Sequence, residues 1–153
     1  MNDTLPAFEP ATSDYATRVR ASFARQAAME HIGAELLTVK PGYCEVAMPV
    51  RREVTQQHGY VHAGIVSTIV DSAGGYAGYS LFPEDASVLT VEFKVNLLAP
   101  AAGERLVATG FVVKPGRTLT ITRGEVHAEN AGRRTLVAIM QQTLMVMRGR
   151  PDA

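Results

Sequence analysis

A long apolar segment, residues 59–82, dominates the sequence and limits the folds that the chain can adopt. The segment contains His62 and Asp71, and an aspartate at the centre of a bilayer costs about 2.5–3.5 kcal/mol on insertion scales. We therefore expect no membrane association. Because a helix that is apolar on all sides has to be buried, the segment predicts a central helix over residues 61–81 of a soluble protein.

The patterns on either side of this segment predict one further helix and six strands. Apolar residues at every fourth position predict an amphipathic helix that is capped by Ser13 and ends near Gly33. A polar loop is expected over residues 51–58. Alternating residues and Gly-containing turns predict strands at residues 35–40, 43–50, 90–97, 106–114, 118–129 and 135–147. This order is typical of an α+β fold in which an antiparallel sheet folds around one central helix.

Length and charge narrow the class of protein. The length of 153 residues predicts a single domain, which we place at residues 14–153. Residues 1–13 are predicted to form a mobile tail. The 15 basic and 15 acidic residues balance, whereas proteins that bind nucleic acid through many phosphates usually carry an excess of basic residues. No nucleic-acid partner is therefore expected. The single cysteine, Cys44, and the lack of a secretory signal favour a cytoplasmic location.

The start of the central helix is a candidate site for chemistry. The amides of a first helical turn have no acceptor within the helix, so they can polarise a carbonyl group or hold an anion. Ala63 and Gly64 are small, which allows a substrate oxygen to approach those amides. The segment therefore predicts an oxyanion hole.

Asp71 lies inside the same apolar segment and leaves two interpretations open. A buried carboxylate is either a structural group bonded to a neighbouring loop or a base whose pKa is raised by desolvation. Asp71 and His62 are nine residues apart, so on one helix they point in opposite directions with about 13.5 Å of rise between them. If both act on one substrate, two chains must contribute, which predicts a twofold dimer with two equivalent sites.

These residues resemble the motif of the PaaI-like hotdog-fold acyl-CoA thioesterases. The resemblance rests on Gln56, His62-Ala63-Gly64 and Asp71 at the spacing of that family, and on Thr90 ten residues before Pro100. It covers about residues 15–147 and implies a hotdog fold, in which an antiparallel sheet wraps around a long central helix. It also implies hydrolysis of an acyl- or aryl-CoA thioester to the free acid and CoA by a homo-oligomer, either a dimer or a dimer of dimers.

The resemblance also implies a role for each residue. Asp71 would act as nucleophile or general base, and the amide of Ala63 would polarise the thioester carbonyl. Gln56 would position the thioester or the water, and His62 would support the helix start. Thr90 would hold the attacking water or orient Asp71. No cofactor is implied, since CoA is part of the substrate.

Other residues are weaker candidates. Gly64 and His58 are candidates for substrate binding, although a solvated loop residue is the simpler interpretation of His58. Lys94 and Arg117 are candidates for the CoA phosphates, or else solvated residues at strand ends. No metal site is expected, because the histidines have no partners at ligand spacing. Cys44 fits a packed apolar thiol better than a nucleophile.

Three further expectations concern the local structure. Alternation predicts that Thr90 shares a polar face of its strand with Glu92. Gly74 and Gly75 lie in the central helix, where glycine is less stable than alanine, and this cost predicts close packing against another helix or the sheet. Ala63 replaces the first glycine of the family's His-Gly-Gly and would be strained if that position needs a positive φ. This departure motivates one alternative, an acyl-CoA-binding protein without activity; an enoyl-CoA hydratase is another.

Overall fold

The computed structural model describes residues 6–152 and contains one antiparallel sheet with three helices. The elements are α1 (Tyr15–Ala24), α2 (Ala27–Ile32), β1 (Glu35–Lys40), β2 (Tyr43–Pro49), α3 (Ala63–Tyr79), β3 (Ala86–Leu97), β4 (Arg105–Lys114), β5 (Leu119–Asn130) and β6 (Arg133–Arg148). A 3₁₀ turn, Arg52–Val54, lies in the loop before α3. The strand order is β1-β2-β4-β5-β6-β3, and the sheet packs around α3. The predicted hotdog fold is confirmed.

The N-terminal region differs in detail from the prediction. The predicted first helix is interrupted, because Gln26 has an extended backbone (φ −78°, ψ 98°) that separates α1 from α2. The cap of α1 is Asp14 in place of Ser13. Residues 1–5 of the predicted tail lie outside the described residues, while Phe8 packs against the core. The interruption at Gln26 places a polar side chain against α3, where it contacts Tyr76.

The central helix α3 is buried along most of its length, as its sequence predicts. Its C-terminal half, from Ser72 to Tyr79, is entirely buried. The helix ends at Ser80, whose hydroxyl donates to the carbonyl of Ala77 over 2.6 Å and accepts from the amide of Gly42 over 2.8 Å. No helix in the described part of the chain is long and apolar enough to cross a membrane.

Glycines bring α3 close to the sheet. A Cβ at Gly110 of β4 would collide with the backbone of Ala73 and Gly74. A Cβ at Gly74 would collide with the side chain of Gln142. The expected close packing is therefore confirmed for Gly74. It is wrong for Gly75, where an added Cβ would have no neighbour within 4 Å.

A bulge in β3 decides which of its side chains face the helix. Thr90 pairs with Leu144 and Glu92 pairs with Thr143, so Val91 is the extra residue. Directly opposed residues share a face of the sheet. Thr90 therefore faces α3 beside buried Leu144, while Glu92 lies on the outer face and accepts a hydrogen bond from Thr143. The prediction that Thr90 and Glu92 share a face is wrong, because alternation reverses at a bulge.

The contact between α3 and β4 predicts a stability effect at Gly110. Gly110→Ala should lower the free energy of unfolding by about 1–3 kcal/mol. The added methyl group would collide with the backbone of α3, which cannot move away as a flexible side chain could. Urea unfolding followed by circular dichroism measures the change. Gly75→Ala is the matched control and should not lower stability. Equal stability of Gly110→Ala and the wild type would contradict the proposed packing.

Candidate active site

The carboxylate of Asp71 on α3 is held through one of its two oxygens. Thr90 Oγ1 on β3 donates to Asp71 Oδ1 over 2.8 Å, and Gln142 Nε2 on β6 donates to the same oxygen over 2.5 Å. Within residues 6–152, no side chain or backbone amide donates to Oδ2. One oxygen is therefore fixed in place, and the other is available for chemistry. Both partners lie on strands, whereas the structural interpretation of Asp71 expected a loop.

Gln142 is absent from the residues predicted for the site. Its side chain is 1% exposed, and its Oε1 accepts a hydrogen bond from Thr122 over 2.7 Å. That bond turns the amide so that Nε2 points to Asp71. The sequence does carry a signal, because Gln141 and Gln142 follow a run of apolar residues, 136–140, and alternation puts one of them on the buried face. A buried amide needs hydrogen-bond partners, and Asp71 is one of them.

The surroundings of Asp71 raise its pKa. Burial removes water from the charged form and raises the pKa above the ordinary aspartate value. The hydrogen bonds from Thr90 and Gln142 favour the carboxylate and offset part of this rise. The upward shift makes the Asp71 carboxylate a stronger base than a solvated one.

Asp71 opens onto a cavity of about 370 Å³ between α3, β3 and the junction of α1 and α2. The lining residues combine polar and apolar groups: Gln26, Asp71, Ser72, Gly75, Tyr76, Val88, Leu89 and Thr90. The polar members at its far side are linked to one another. Gln26 Nε2 donates to the hydroxyl of Tyr76 over 2.7 Å, and that hydroxyl lies 3.0 Å from Ser22 Oγ. The cavity is therefore lined by one carboxylate and by a hydrogen-bonded polar group.

The start of α3 provides a second set of polar groups. His62 is the N-cap, and its Nδ1 accepts a hydrogen bond from the Gly64 amide over 2.9 Å. The Ala63 amide has no acceptor in the described part of the chain. A groove of about 490 Å³, which Gln56, His62 and Ala63 help to line, lies beside this amide. The side-chain oxygen Oε1 of Gln56 accepts a hydrogen bond from the backbone amide of His58. The side-chain nitrogen Nε2 of Gln56 is then available as a donor.

Ala63 is not strained at the position where the family motif has glycine. It is the first residue of α3, and among residues 6–152 Ala131 alone has a positive φ without being glycine. An alanine is compatible with this backbone and keeps its amide. The strain that motivated the inactive acyl-CoA-binding alternative is absent.

The helix start and Asp71 do not meet within one chain. The groove beside Ala63 and the cavity beside Asp71 share no lining residue. This agrees with the opposite directions that nine helical residues impose on His62 and Asp71. One chain thus presents two separated parts of the predicted site.

Three further candidates, His58, Lys94 and Arg117, line neither the groove nor the cavity. His58 is exposed in its loop, and Arg117 is exposed in the turn before β5. Lys94 lies on the outer face of the sheet, where its ammonium group donates to Asn96 over 2.9 Å. Burial raises the pKa of Cys44 to about 12, which agrees with a packed thiol. The part of the chain that the structure describes contains no group of three or more potential metal ligands.

Comparison with known proteins identifies the family. Residues 58–134 match the thioesterase superfamily. A thioesterase family protein from Silicibacter pomeroyi, whose crystal structure is known, is 54% identical. The match covers 88% of this chain and 99% of that chain, with a TM-score of 0.87. The chain belongs to the thioesterase superfamily. The predicted resemblance is confirmed.

Other similar proteins share less of their sequence with this chain. The E. coli PaaI protein from the phenylacetic acid degradation operon has a TM-score of 0.81 over 92% of this chain and 98% of its own, at 20% identity, which shows the fold alone. Human acyl-coenzyme A thioesterase 13 is 29% identical over 64% of this chain and 70% of that protein. A proposed esterase of Halobacterium salinarum is 32% identical over 61% of this chain. The matched segment spans 64% of that esterase's length.

The hydrogen bond from Gln142 predicts a measurable effect on the titration of Asp71. Gln142→Leu removes a donor that favours the carboxylate, so the pKa of Asp71 should rise further. Carboxyl ¹³C NMR over a pH series measures this. Gln141→Leu is the matched control, because Gln141 is exposed on the outer face of the same strand. An unchanged or lower Asp71 pKa in Gln142→Leu would contradict the assigned role of Gln142.

Proposed function

We propose that the chain hydrolyses acyl-CoA thioesters to a carboxylic acid and CoA, with Asp71 as the reacting carboxylate. The observation that carries the proposal is the arrangement of this carboxylate: Thr90 and Gln142 hold Oδ1, no donor within residues 6–152 reaches Oδ2, and Asp71 lines a cavity. Membership of the thioesterase superfamily supports thioester hydrolysis. The name of the human relative, acyl-coenzyme A thioesterase 13, supports an acyl-CoA substrate.

Asp71 Oδ2 takes one of two roles in this reaction. As a general base, it removes a proton from a water molecule while the water oxygen attacks the thioester carbonyl carbon. As a nucleophile, Oδ2 attacks that carbon itself, and water then hydrolyses the mixed anhydride. In both cases the carbon–sulfur bond breaks, CoA leaves as a thiolate that is then protonated, and the acyl group becomes a free carboxylate. Both roles require Oδ2 to be deprotonated.

The start of α3 supplies the group that stabilises the developing oxyanion. The Ala63 amide has no acceptor in the described part of the chain and is available to a substrate. The next amide, that of Gly64, already donates to His62 Nδ1. An amide at a helix N-terminus carries partial positive charge. It is already oriented before the reaction, so it does not have to reorganise as the oxyanion forms. The Gln56 amide group is a further donor at the same groove, where it can position the thioester.

Because these groups and Asp71 lie in separate pockets of one chain, a complete site combines Asp71 of one copy with the helix start of a second. The edge strand β3 provides a surface for that second copy. Large apolar side chains are exposed there, among them Leu89 and Val91 at 56% and Phe93 at 47%. An apolar, unpaired strand edge favours pairing with another strand. We therefore expect a homodimer, which a dimer of dimers would contain.

Replacing the carboxylate tests the role of Asp71. Asp71→Asn should reduce the rate of free-thiol release from a panel of acyl-CoA thioesters by roughly 10²-fold or more, since the amide is neither base nor nucleophile. Retention of wild-type activity in this variant would exclude Asp71 as the reacting group. Initial rates measured over a range of thioester concentrations give kcat/KM for each acyl group.

A stability measurement tests whether Asp71→Asn is folded. Since the folded-state pKa of Asp71 is raised, ionisation of this group opposes folding, and its contribution to stability is lost as pH rises through that pKa. Asp71→Asn escapes this loss and should equal or exceed the wild type in Tm at neutral pH. The difference should shrink as the pH falls towards the aspartate range. If the Tm fell to the assay temperature, the activity loss would reflect unfolding and not the missing carboxylate.

Mixing two inactive variants tests whether two copies share a site. Ala63→Pro removes the oxyanion amide but suits the first helical position, and His62 already has the extended backbone (φ −60°, ψ 137°) that precedes proline. It should lose about 10²–10³-fold in kcat. After subunit exchange with Asp71→Asn, half of the dimers carry one intact site, so about a quarter of wild-type activity should return.

Two controls accompany the mixing experiment. Ala63→Gly keeps the amide and should remain active, which separates loss of the amide from a change in side chain. Each inactive variant mixed with itself should stay inactive. If the mixture of Ala63→Pro and Asp71→Asn also stays inactive after verified exchange, each site is formed within one chain.

A further inference from the structure

Gly75 occupies an unusual position on α3. It lies four residues after Asp71 and therefore on the same face of the helix, one turn further along. It is buried, yet an added Cβ would meet no atom within 4 Å. The neighbouring Gly74 is the opposite case, since its added Cβ would collide with Gln142. Packing thus explains the glycine at position 74 but not the one at position 75.

The empty space beside Gly75 is the cavity onto which Asp71 opens. A glycine inside a helix is about 1 kcal/mol less favourable than an alanine. At Gly75 no close contact with another element offsets that cost. The missing side chain instead enlarges the space next to the reacting carboxylate.

The chemistry of the lining indicates which half of a thioester enters. Of the residues that line the cavity, none in the described part of the chain is cationic, and Asp71 is anionic. Phosphate groups would be repelled there, so the nucleotide part of CoA is excluded. The volume of about 370 Å³ is suited to a compact group, and Val88 and Leu89 provide apolar walls. The acyl group is the part of the substrate that fits.

We propose that Gly75 is the residue that determines acyl specificity, because its missing side chain leaves room beside Asp71 for an acyl group with bulk next to the carbonyl carbon. This inference rests on the proposed thioester hydrolysis. A Cβ added at Gly75 would touch neither the Asp71 carboxylate nor Thr90 and Gln142, the two residues that donate to its Oδ1. Its effect is therefore on which acyl groups fit, and bulky groups depend on it most.

A size series tests this inference. Acetyl-, isobutyryl- and benzoyl-CoA increase in bulk at the carbonyl, and free-thiol release gives kcat/KM for each of them. For Gly75→Ala, the ratio of kcat/KM for the bulkiest group that the wild type hydrolyses to that for acetyl-CoA should fall roughly tenfold or more. Gly75→Leu should lower the ratio further. The Tm of Gly75→Ala should equal or exceed that of the wild type, because alanine favours the helix.

Gly74→Ala is the matched control, since it adds the same methyl group one residue away. It should lower Tm and reduce kcat/KM for all acyl groups alike, because its Cβ displaces Gln142. A uniform reduction in Gly75→Ala, or an unchanged ratio, would overturn the assignment of Gly75. So would a wild type that hydrolyses acetyl-CoA and neither larger ester. If the wild type releases no thiol from any of the three esters, the proposed function itself is wrong. This outcome is seen before any variant is compared.

Discussion

The short distance between α3 and the sheet is the constraint on which the site depends. Gly110 and Gly74 remove the side chains that would otherwise separate the helix from β4 and β6. Only at that distance can the amide of Gln142 reach the carboxylate of Asp71 from the sheet. The same approach buries Asp71 and raises its pKa. Packing glycines and the reactivity of a carboxylate are thus parts of one arrangement.

Burial and hydrogen bonding act in opposite directions on this carboxylate. Desolvation alone would favour a neutral acid that cannot serve as base or nucleophile. Two donors to Oδ1 alone would favour a weakly basic carboxylate. Together they leave a carboxylate that is more basic than a solvated aspartate and is held in one orientation. Such a balance is common where a protein uses a carboxylate for chemistry.

The sequence predicts those features that depend on local pattern. The bounds of β1, the burial of α3 and the separation of His62 from Asp71 all follow from periodicity, and the structure agrees with each of them. Features that depend on contacts between distant segments are less accessible. The bulge at Val91 reverses the alternation that had been expected for Thr90, and no turn residue marks it. The first helix is interrupted at Gln26 although the apolar period continues through it.

Two residues of the candidate site show why the remainder escapes local pattern. Gln142 is recognisable only as a polar residue in an apolar strand, and its partner lies 71 positions earlier in the chain. Gly75 is indistinguishable from Gly74 in the sequence, yet one faces the sheet and the other faces a cavity. Which of two adjacent helical residues meets the sheet depends on the rotation of α3, and packing of the whole helix sets that rotation.

The position of the proton on Asp71 follows from the same contacts. Thr90 and Gln142 both donate to Oδ1, and Thr122 fixes the Gln142 amide so that its nitrogen faces the carboxylate. An oxygen that already accepts two hydrogen bonds is a poor place for a proton, so protonation of Asp71 occurs on Oδ2. The carboxylate that carries this proton belongs to a residue that lines the cavity. Under the proposed function, an acyl group that fills the cavity removes further water from the carboxylate and strengthens its basicity. The two proposals together therefore couple occupation of the space beside Gly75 to activation of the carboxylate, and an acyl group that fills the cavity poorly loses both effects.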